Sequence, residues 1–400
     1  MKKSSRRRGN GRALDSRAPL LVVVLGLCLA AVAAIVIPKD VRSQEHNFAG
    51  SLQSNYTWVP TDPHARNISL DGMTTELSLK VAVDFTDNVS ANVKLCYTCH
   101  GMELGMAFID MRLLDELNIR VGRFNPGFGD FSLRHDPANH RTADKPLPYD
   151  MGRMLRMKEF NIGVLPSPYV DQGIELNGTH WFGDAVQLDY AFHAVGGLRA
   201  GQNDLDVDFI SMRSVYYIDN NSEPSLGGRV ALTLNLSDDV LFTAGGSGLW
   251  GHLDPKREHA YWVAGADVYL RIASFDLHAE YLIRRTEYSV GESPDTTFRY
   301  GPGKDGRYEN FFLKDGFYVE GNMPLSRHFE VVARFDGLRR IGNVTLNSPL
   351  KSKNSSVLRY TLGIGIILEG SVRLKFSGEY YDFTDFDDDV AVNAGVAAAF

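Results

Sequence analysis

Long apolar runs are nearly missing from this 400-residue sequence, and its mean hydropathy is −0.19. That value is too low for a bundle of membrane-spanning helices. Patches of lysine and arginine with interleaved aromatic residues are also missing, which argues against nucleic acid as a partner. The sequence has no recognisable serine–histidine–acid pattern of a lipase or protease, so no enzymatic activity is predicted. No internal repeat, coiled coil or second domain is visible.

The one long apolar run, at 19–37, follows a series of basic residues and has the pattern of a secretory signal. Cleavage is predicted after Ser43, with a second suitable site after Ala33. Residues 1–43 are then a signal peptide that is removed, and residues 44–400 form the mature chain. Because the run is long, an uncleaved membrane anchor is the alternative. Removal of residues 1–43 leaves 33 basic and 47 acidic residues, a net charge of −14, and two cysteines.

Beyond the signal, apolar and polar residues alternate with a period of two, which predicts β-strands. Between residues 275 and 284, for example, Phe275, Tyr281 and Ile283 alternate with charged residues such as Glu280 and Arg284. Short connections near 86–88, 114–116, 183–184, 237–239, 272–274, 326–328 and 369–371 separate longer ones near 59–72, 126–168, 197–224, 289–312 and 341–356. This alternation of short turns and long loops is typical of bacterial outer-membrane barrels.

The pattern therefore predicts an all-β fold, a closed antiparallel transmembrane β-barrel of about 16 strands embedded in outer-membrane lipid. The predicted strands lie at 48–58, 73–85, 90–96, 103–112, 118–125, 169–181, 185–195, 226–236, 240–250, 258–271, 275–288, 313–324, 329–340, 357–368, 371–383 and 390–400. An even number agrees with two chain termini on the same side of the membrane.

The last predicted strand is apolar on one face and ends at Phe400. The residues of that face are Val390, Val392, Ala394, Val396, Ala398 and Phe400. An amphipathic C-terminal strand that ends in phenylalanine is similar to the segment that the bacterial barrel-assembly machinery recognises. Together with the export signal, it places the protein in the bacterial outer membrane.

The stretch Val121-Gly122-Arg123-Phe124-Asn125-Pro126-Gly127-Phe128-Gly129, followed by His135-Asp136-Pro137-Ala138-Asn139-His140, resembles the phosphate-selective porin O/P family. The resemblance implies a solute channel whose loop near 126–168 folds into the lumen as a constriction. Many porins are trimers, so a homo-trimer is implied as well.

Phosphate selectivity is not carried over, because the mature chain is acidic and lacks a lysine cluster beside this stretch. Two alternatives remain for its arginines. They line the constriction as an anion path, or they pair with neighbouring carboxylates. The arginines are Arg120, Arg134, Arg141, Arg153 and Arg156, and the carboxylates are Asp130, Asp136, Asp144 and Asp150.

Cys96-Tyr97-Thr98-Cys99-His100 has the CxxCH spacing of a c-type haem attachment site. Two thiols three residues apart reach the two vinyl groups of one haem, and His100 supplies an imidazole to the haem iron. The chance of this arrangement in a two-cysteine chain is on the order of one in several thousand. A disulfide between Cys96 and Cys99, or a metal site with His100, are the alternatives.

By alternation, Cys96 shares the lumen face of its strand with Asn92 and Lys94, and the motif belongs on the extracellular side. A second axial ligand is expected for electron transfer. The candidates are Met102, Met106, His135 and His140. The histidines have a plainer alternative, which is hydrogen bonding within their loop.

The predicted function is therefore a porin-like channel that carries one haem c and takes part in electron transfer at the outer membrane. A single haem cannot bridge a bilayer about 30 Å thick, so other cytochromes are expected as partners. The alternative is a plain solute or anion porin in which the CxxCH forms a disulfide or a metal site.

Overall fold

The computed structural model describes residues 45–60, 72–98, 101–150, 163–165, 167–200, 206–207, 219–368 and 371–400. Sixteen strands form one closed antiparallel barrel, in which each strand pairs with its neighbours in the sequence and the first strand pairs with the last. The prediction of a closed 16-stranded barrel is confirmed. The predicted signal peptide, residues 1–43, lies outside the described residues.

The strands are β1 (Glu45–Trp58), β2 (Gly72–Thr86), β3 (Val89–Thr98), β4 (Gly101–Leu114), β5 (Leu117–Phe124), β6 (Asp171–Phe182), β7 (Val186–Val195), β8 (Ser225–Ser237), β9 (Val240–His252), β10 (Ala260–Ile272), β11 (Phe275–Glu287), β12 (Phe311–Pro324), β13 (Phe329–Ile341), β14 (Asn354–Ile367), β15 (Val372–Phe383) and β16 (Asp389–Ala399). No helix in the described ranges is long and apolar enough to cross a membrane.

The two faces of each strand differ in chemistry. In β1 the side chains of Ser51, Gln53 and Asn55 are buried in the barrel interior, whereas Leu52 and Tyr56 between them are exposed on the outer wall. Exposed leucine, tyrosine and phenylalanine side chains recur on the outer face of the other strands. An apolar outer wall around a polar interior is the arrangement of a membrane-spanning barrel.

Outward-facing aromatic rings form a row across five strands at a similar level. Phe317 lies 5.1 Å from Phe335, Phe335 lies 4.9 Å from Tyr360, and Tyr360 lies 6.3 Å from Tyr380, measured between ring centroids. Tyr281 of β11 continues the row, because it pairs with Phe317. The row adds a continuous aromatic surface to the outer wall of the barrel.

The connection lengths follow the sequence-based pattern, with short turns at one end of the barrel and long loops at the other. β14 begins at Asn354, three residues earlier than predicted. The additional residues are polar, and Ser355 donates a hydrogen bond of 2.7 Å to Asp385 of the next connection. Because these residues are polar on both faces of the strand, the alternation of apolar and polar residues does not extend to them.

The C-terminal residue takes part in barrel closure. The backbone N–H of Gly50 donates to the Phe400 carbonyl at 2.8 Å, and the Phe400 N–H donates to the Gly50 carbonyl at 3.0 Å. The Phe400 ring lies 6.2 Å from that of Phe48 on the outer wall. Phe400 therefore joins the last strand to the first.

We expect deletion of Phe400 to reduce the amount of folded barrel in the outer membrane several-fold without reducing export. The deletion removes two backbone hydrogen bonds at the barrel seam and the last ring of the apolar C-terminal face. Cell fractionation and heat-dependent gel mobility measure the yield. Phe329→Ala, which removes an outward phenylalanine from β13, is the matched control. Equal yields for the two variants would contradict the role of Phe400.

Candidate functional site

The connection between β5 and β6 is called the lumen loop (residues 125–170), and its described residues, 125–150, 163–165 and 167–170, lie inside the barrel. The N–H of Leu147 donates to Asp336 of β13 at 2.9 Å, and the ammonium of Lys375 on β15 donates to the Pro137 carbonyl at 2.9 Å. Both strand residues are buried on the inner wall. The described part of the lumen loop is therefore fixed across the interior by contacts with strands far apart in the sequence.

The first turn of the lumen loop is organised around Glu280 of β11. The Glu280 carboxylate accepts hydrogen bonds from the N–H groups of Asp130 and Phe131, at 2.9 and 2.5 Å, and from the hydroxyl of Tyr149. Gly129 precedes this turn with φ +63°, and a Cβ there would lie 2.2 Å from the Tyr149 hydroxyl. The glycine is required both for the turn and for the close approach.

A cluster of buried ion pairs holds the middle of the lumen loop. Asp144 pairs with Arg334 of β13 at 2.7 Å and with Arg359 of β14, and Asp336 also pairs with Arg359. These four side chains are at most 1% exposed. Burial raises the pKa of Asp144, but the two guanidiniums outweigh burial and lower it to about 2. Asp144 is therefore charged at neutral pH.

The arginines predicted to line an anion path have carboxylate partners. Arg120 donates to Asp110 at 2.8 Å and to Glu175 at 3.3 Å. Arg134 pairs with Asp130 at 2.6 Å, and Arg141 pairs with Glu330 at 3.3 Å. These contacts agree with the alternative in which the arginines form ion pairs with carboxylates and do not line an anion path. Arg153 and Arg156 lie outside the described residues.

Cys96 lies on the inner face of β3, as its phase predicts. Asn92, Lys94 and Cys96 are buried, whereas Leu95 and Tyr97 are exposed on the outer wall. Cys99 and His100 lie outside the described residues. On the neighbouring strand, a Cβ at Gly105 would lie 2.7 Å from the Cys96 Sγ. The thiol therefore packs directly against Gly105, and any larger residue at this position would collide with it.

The two methionines proposed as axial ligands lie on opposite faces of β4. Met102 pairs with Tyr97 and is 78% exposed on the outer wall. Met106 pairs with the inward-facing Lys94. A β-bulge at Gly105 changes the phase of the strand between them. Met106 therefore shares a face with Cys96, and Met102 does not.

His135 of the lumen loop contacts β3. Its Nδ1 donates to the Ser132 carbonyl at 2.7 Å, and its Nε2 accepts from the Lys94 ammonium at 3.2 Å. Lys94 also pairs with Asp136. Burial and the Lys94 charge lower the pKa of His135 to about 4. At neutral pH the imidazole is therefore uncharged, with its lone pair on Nε2.

His140 is also buried, and its ring packs 5.2 Å from that of Phe131. Within the described part of the chain, its Nε2 has no hydrogen-bond partner. Burial, followed by the charge of Lys375 on β15, lowers its pKa well below the usual value. Both histidines are therefore uncharged at neutral pH.

Sequence reasoning did not identify the strand residues that hold the lumen loop, in particular Arg334, Asp336 and Arg359. Their charges on the inner face were part of the period-two pattern. The pairing of Arg334 and Arg359 with Asp144 spans 190 or more residues and has no local signature. The polar network that fixes the loop can be identified only from the folded structure.

Comparison with solved structures finds outer-membrane barrels. The outer membrane channel DcaP of Acinetobacter baumannii is 11% identical, with 90% of this chain and 98% of that chain covered and a TM-score of 0.55. OmpT of Vibrio cholerae in a trimer form is 9% identical, with 90% and 100% covered and a TM-score of 0.51. Salmonella typhi OmpF in complex with daunomycin is 9% identical, with 89% and 97% covered and a TM-score of 0.51. At these identities the likeness establishes the barrel fold alone.

No protein-family model and no curated protein sequence matches the chain. The likeness to the phosphate-selective porin O/P family therefore stays a prediction.

We expect Asp144→Ala to lower the free energy of unfolding by about 3–5 kcal/mol, because it leaves buried guanidiniums without a partner. Glu223→Ala, which breaks the exposed pair with Arg257, is the control and is expected to cost about 0–1 kcal/mol. Urea unfolding in detergent measures both. Because the folded pKa of Asp144 is lowered to about 2, its contribution is complete above the ordinary pKa of 3.8 and is lost as the pH falls through about 2. Equal effects of the two variants would refute the anchoring role.

Proposed function

We propose that the chain is a porin-like channel of the bacterial outer membrane that carries one covalent c-type haem. The proposal of a channel rests on the closed barrel, whose charged interior is not fully packed. Arg120, Arg141 and Asp136 on the inner side are 25%, 31% and 40% exposed. Charged side chains that retain contact with solvent inside a barrel indicate a water-filled passage for small solutes.

The lumen loop sets the width of this passage. Its apolar side chains, including Phe128, Phe131 and Leu147, pack with Leu282 and Leu338 on the inner wall. Of its charged side chains, Asp136 and Arg141 keep part of their surface exposed. The carboxylate partners of the lumen arginines balance their charge, so we propose no selectivity for anions. A trimer is proposed from the trimer form of Vibrio cholerae OmpT, and the barrel-assembly machinery remains the proposed route of insertion.

The haem half rests on the CxxCH spacing of Cys96, Cys99 and His100 in an exported chain. The inward position of Cys96 and the neutral His135 and His140 in the lumen support it. In this proposal Cys96 and Cys99 form the thioethers and His100 ligates the iron. The bound haem would supply one-electron chemistry, in electron transfer with other cytochromes, and we propose no enzymatic activity.

The second candidate is a plain diffusion porin in which Cys96 and Cys99 form a disulfide or His100 joins a metal site. It is favoured by the same barrel and lumen loop, which need no haem to act as a channel. The two candidates differ in whether haem stays attached to the denatured chain.

We expect the purified protein to give discrete current steps in planar bilayers. Replacing residues 137–142 with glycine and serine removes the ion pair of Arg141 with Glu330 and the packing of His140 against Phe131, and it should increase the step size. Removing residues 302–305, an exposed part of another loop, should leave it unchanged. If the first change leaves the step size unaltered, the lumen loop does not control the width of the passage.

We expect the denatured protein to retain haem and to stain for peroxidase activity on a gel. Cys96→Ala combined with Cys99→Ala should abolish the stain and still give a folded barrel, because the β3–β4 connection is short and the sixteen-strand pairing does not depend on it. Cys28→Ala, in the predicted signal peptide, is the control and should keep the stain. If wild-type protein from a host that attaches haem c does not stain, the haem proposal is wrong and the plain porin is the remaining candidate.

A further inference from the structure

One ion pair lies on the outer wall of the barrel, further from the strand ends than any other outward charge. Asp315 of β12 is two residues from the outward Phe317, and it pairs with Arg339 of β13. Asp315 is the fifth residue of β12, whereas the other charged residues on the outer face of the described strands lie within two residues of a strand end. Because lipid hydrocarbon does not solvate a charge, the pair marks a place where the outer wall meets polar groups.

The cation is the exposed member of this pair. The Arg339 guanidinium donates to both carboxylate oxygens of Asp315, from Nε at 2.9 Å and from Nη2 at 2.8 Å. The hydroxyl of Tyr281 on β11 donates to the same carboxylate at 2.9 Å. The Asp315 side chain is 9% exposed and that of Arg339 is 48% exposed. Asp315 is therefore satisfied within the protein, and the surroundings of the barrel meet a guanidinium.

The length of β13 places Arg339 at the edge of the hydrocarbon. A tilted β-strand needs about 9–11 residues to cross the core of a bilayer. From the short turn, the outward residues of β13 between Phe329 and Gly337 are apolar or glycine over about nine residues. Arg339 is the next outward position, and a long loop follows the end of the strand. Since the long loops of outer-membrane barrels are extracellular, Arg339 lies at the headgroups of the outer leaflet.

A second arginine repeats this arrangement on β11. The outward residues between 275 and 283 are apolar or aromatic, and Arg285 is the next outward position. Its guanidinium lies 4.2 Å from the centroid of the Phe311 ring and pairs with Glu287 at 2.5 Å, with 26% of the side chain exposed. Arg285 and Arg339 therefore stand at one level on the two sides of β12.

The neighbouring strands mark the same boundary with other residues. On β14 and β15 the outward face is apolar, aromatic or glycine at 358–366 and at 372–380, and the next outward residues are Ser356 and Asp382. Polar residues thus begin at a common level on four strands. The two arginines at this level are confined to β11 and β13, and Asp382 is exposed two strands away from Arg339.

We propose that Arg285 and Arg339 form a binding site for the phosphate groups of the lipopolysaccharide in the outer leaflet. Guanidinium groups bind phosphate through parallel, charge-assisted hydrogen bonds. Asp315 fixes the direction of the Arg339 guanidinium, and the packing against Phe311 fixes that of Arg285. The site is on the outside of the barrel and depends on neither the passage nor the haem. It would hold a ring of specific lipid at one sector of the wall.

The test uses the full mature protein, delipidated in detergent, to which lipopolysaccharide from a rough strain is added. Native mass spectrometry measures the bound glycolipid. The wild-type protein should prefer the phosphorylated form over the same glycolipid with its phosphates removed by about tenfold, the equivalent of one charge-assisted contact. Inorganic phosphate at the same concentration should not displace it, which separates a lipid headgroup from the free ion.

The double variant Arg285→Gln with Arg339→Gln should lose this preference. Arg257→Gln is the matched control, because Arg257 is 45% exposed in the β9–β10 connection and has an acidic partner, Glu223. It should keep the preference. If the double variant folds poorly, as judged by heat-dependent gel mobility, Arg285→Gln alone leaves the Asp315 pair intact and should reduce the preference.

Three results would overturn the proposal. The first is equal binding of the two glycolipid forms by the wild-type protein, and the second is an unchanged preference in a folded double variant. The third is dissociation of an oligomer by Arg339→Gln and equally by Asp382→Asn, with glycolipid binding unaffected. That result would assign this face to a contact with a second copy, in which Asp382 is the partner of Arg339.

Discussion

The structure depends on a few charges that are buried inside the barrel. Asp144 lies between Arg334 and Arg359, and Asp336 completes the set. Two charges taken out of water are stable only when each has good partners, and removal of one partner is costly. The cluster therefore permits one position for the middle of the lumen loop. The width of the passage, the burial of His135 and the contact of the loop with β3 all follow from that position.

Most of the barrel could be predicted from the sequence, because a strand with lipid on one side and a polar interior on the other has to alternate. All sixteen strands lie where the alternation indicates. The alternation fails at irregular positions. Met102 and Met106 are four residues apart and would share a face in a regular strand, but the bulge at Gly105 places them on opposite faces. A bulge has no reliable period-two signature.

The CxxCH motif is visible in the sequence and its haem stays a prediction, whereas the residues around Cys96 could be identified only from the structure. The spacing of Cys96, Cys99 and His100 is local, and the phase of β3 correctly placed Cys96 on the inner face. The positions of His135 and His140 depend on the path of the lumen loop, which distant residues determine. A loop histidine gives no indication of which wall it faces until those anchors are known.

The central claim is that one barrel holds both a passage and a covalent haem next to the loop that narrows it. The most direct test is the intact mass of the mature protein, purified from outer membranes of a host that attaches haem c. The account predicts the polypeptide mass from the true N-terminus plus that of one haem, lost when Cys96 and Cys99 are both replaced by alanine. A mass equal to the polypeptide alone, with or without a disulfide, would contradict it.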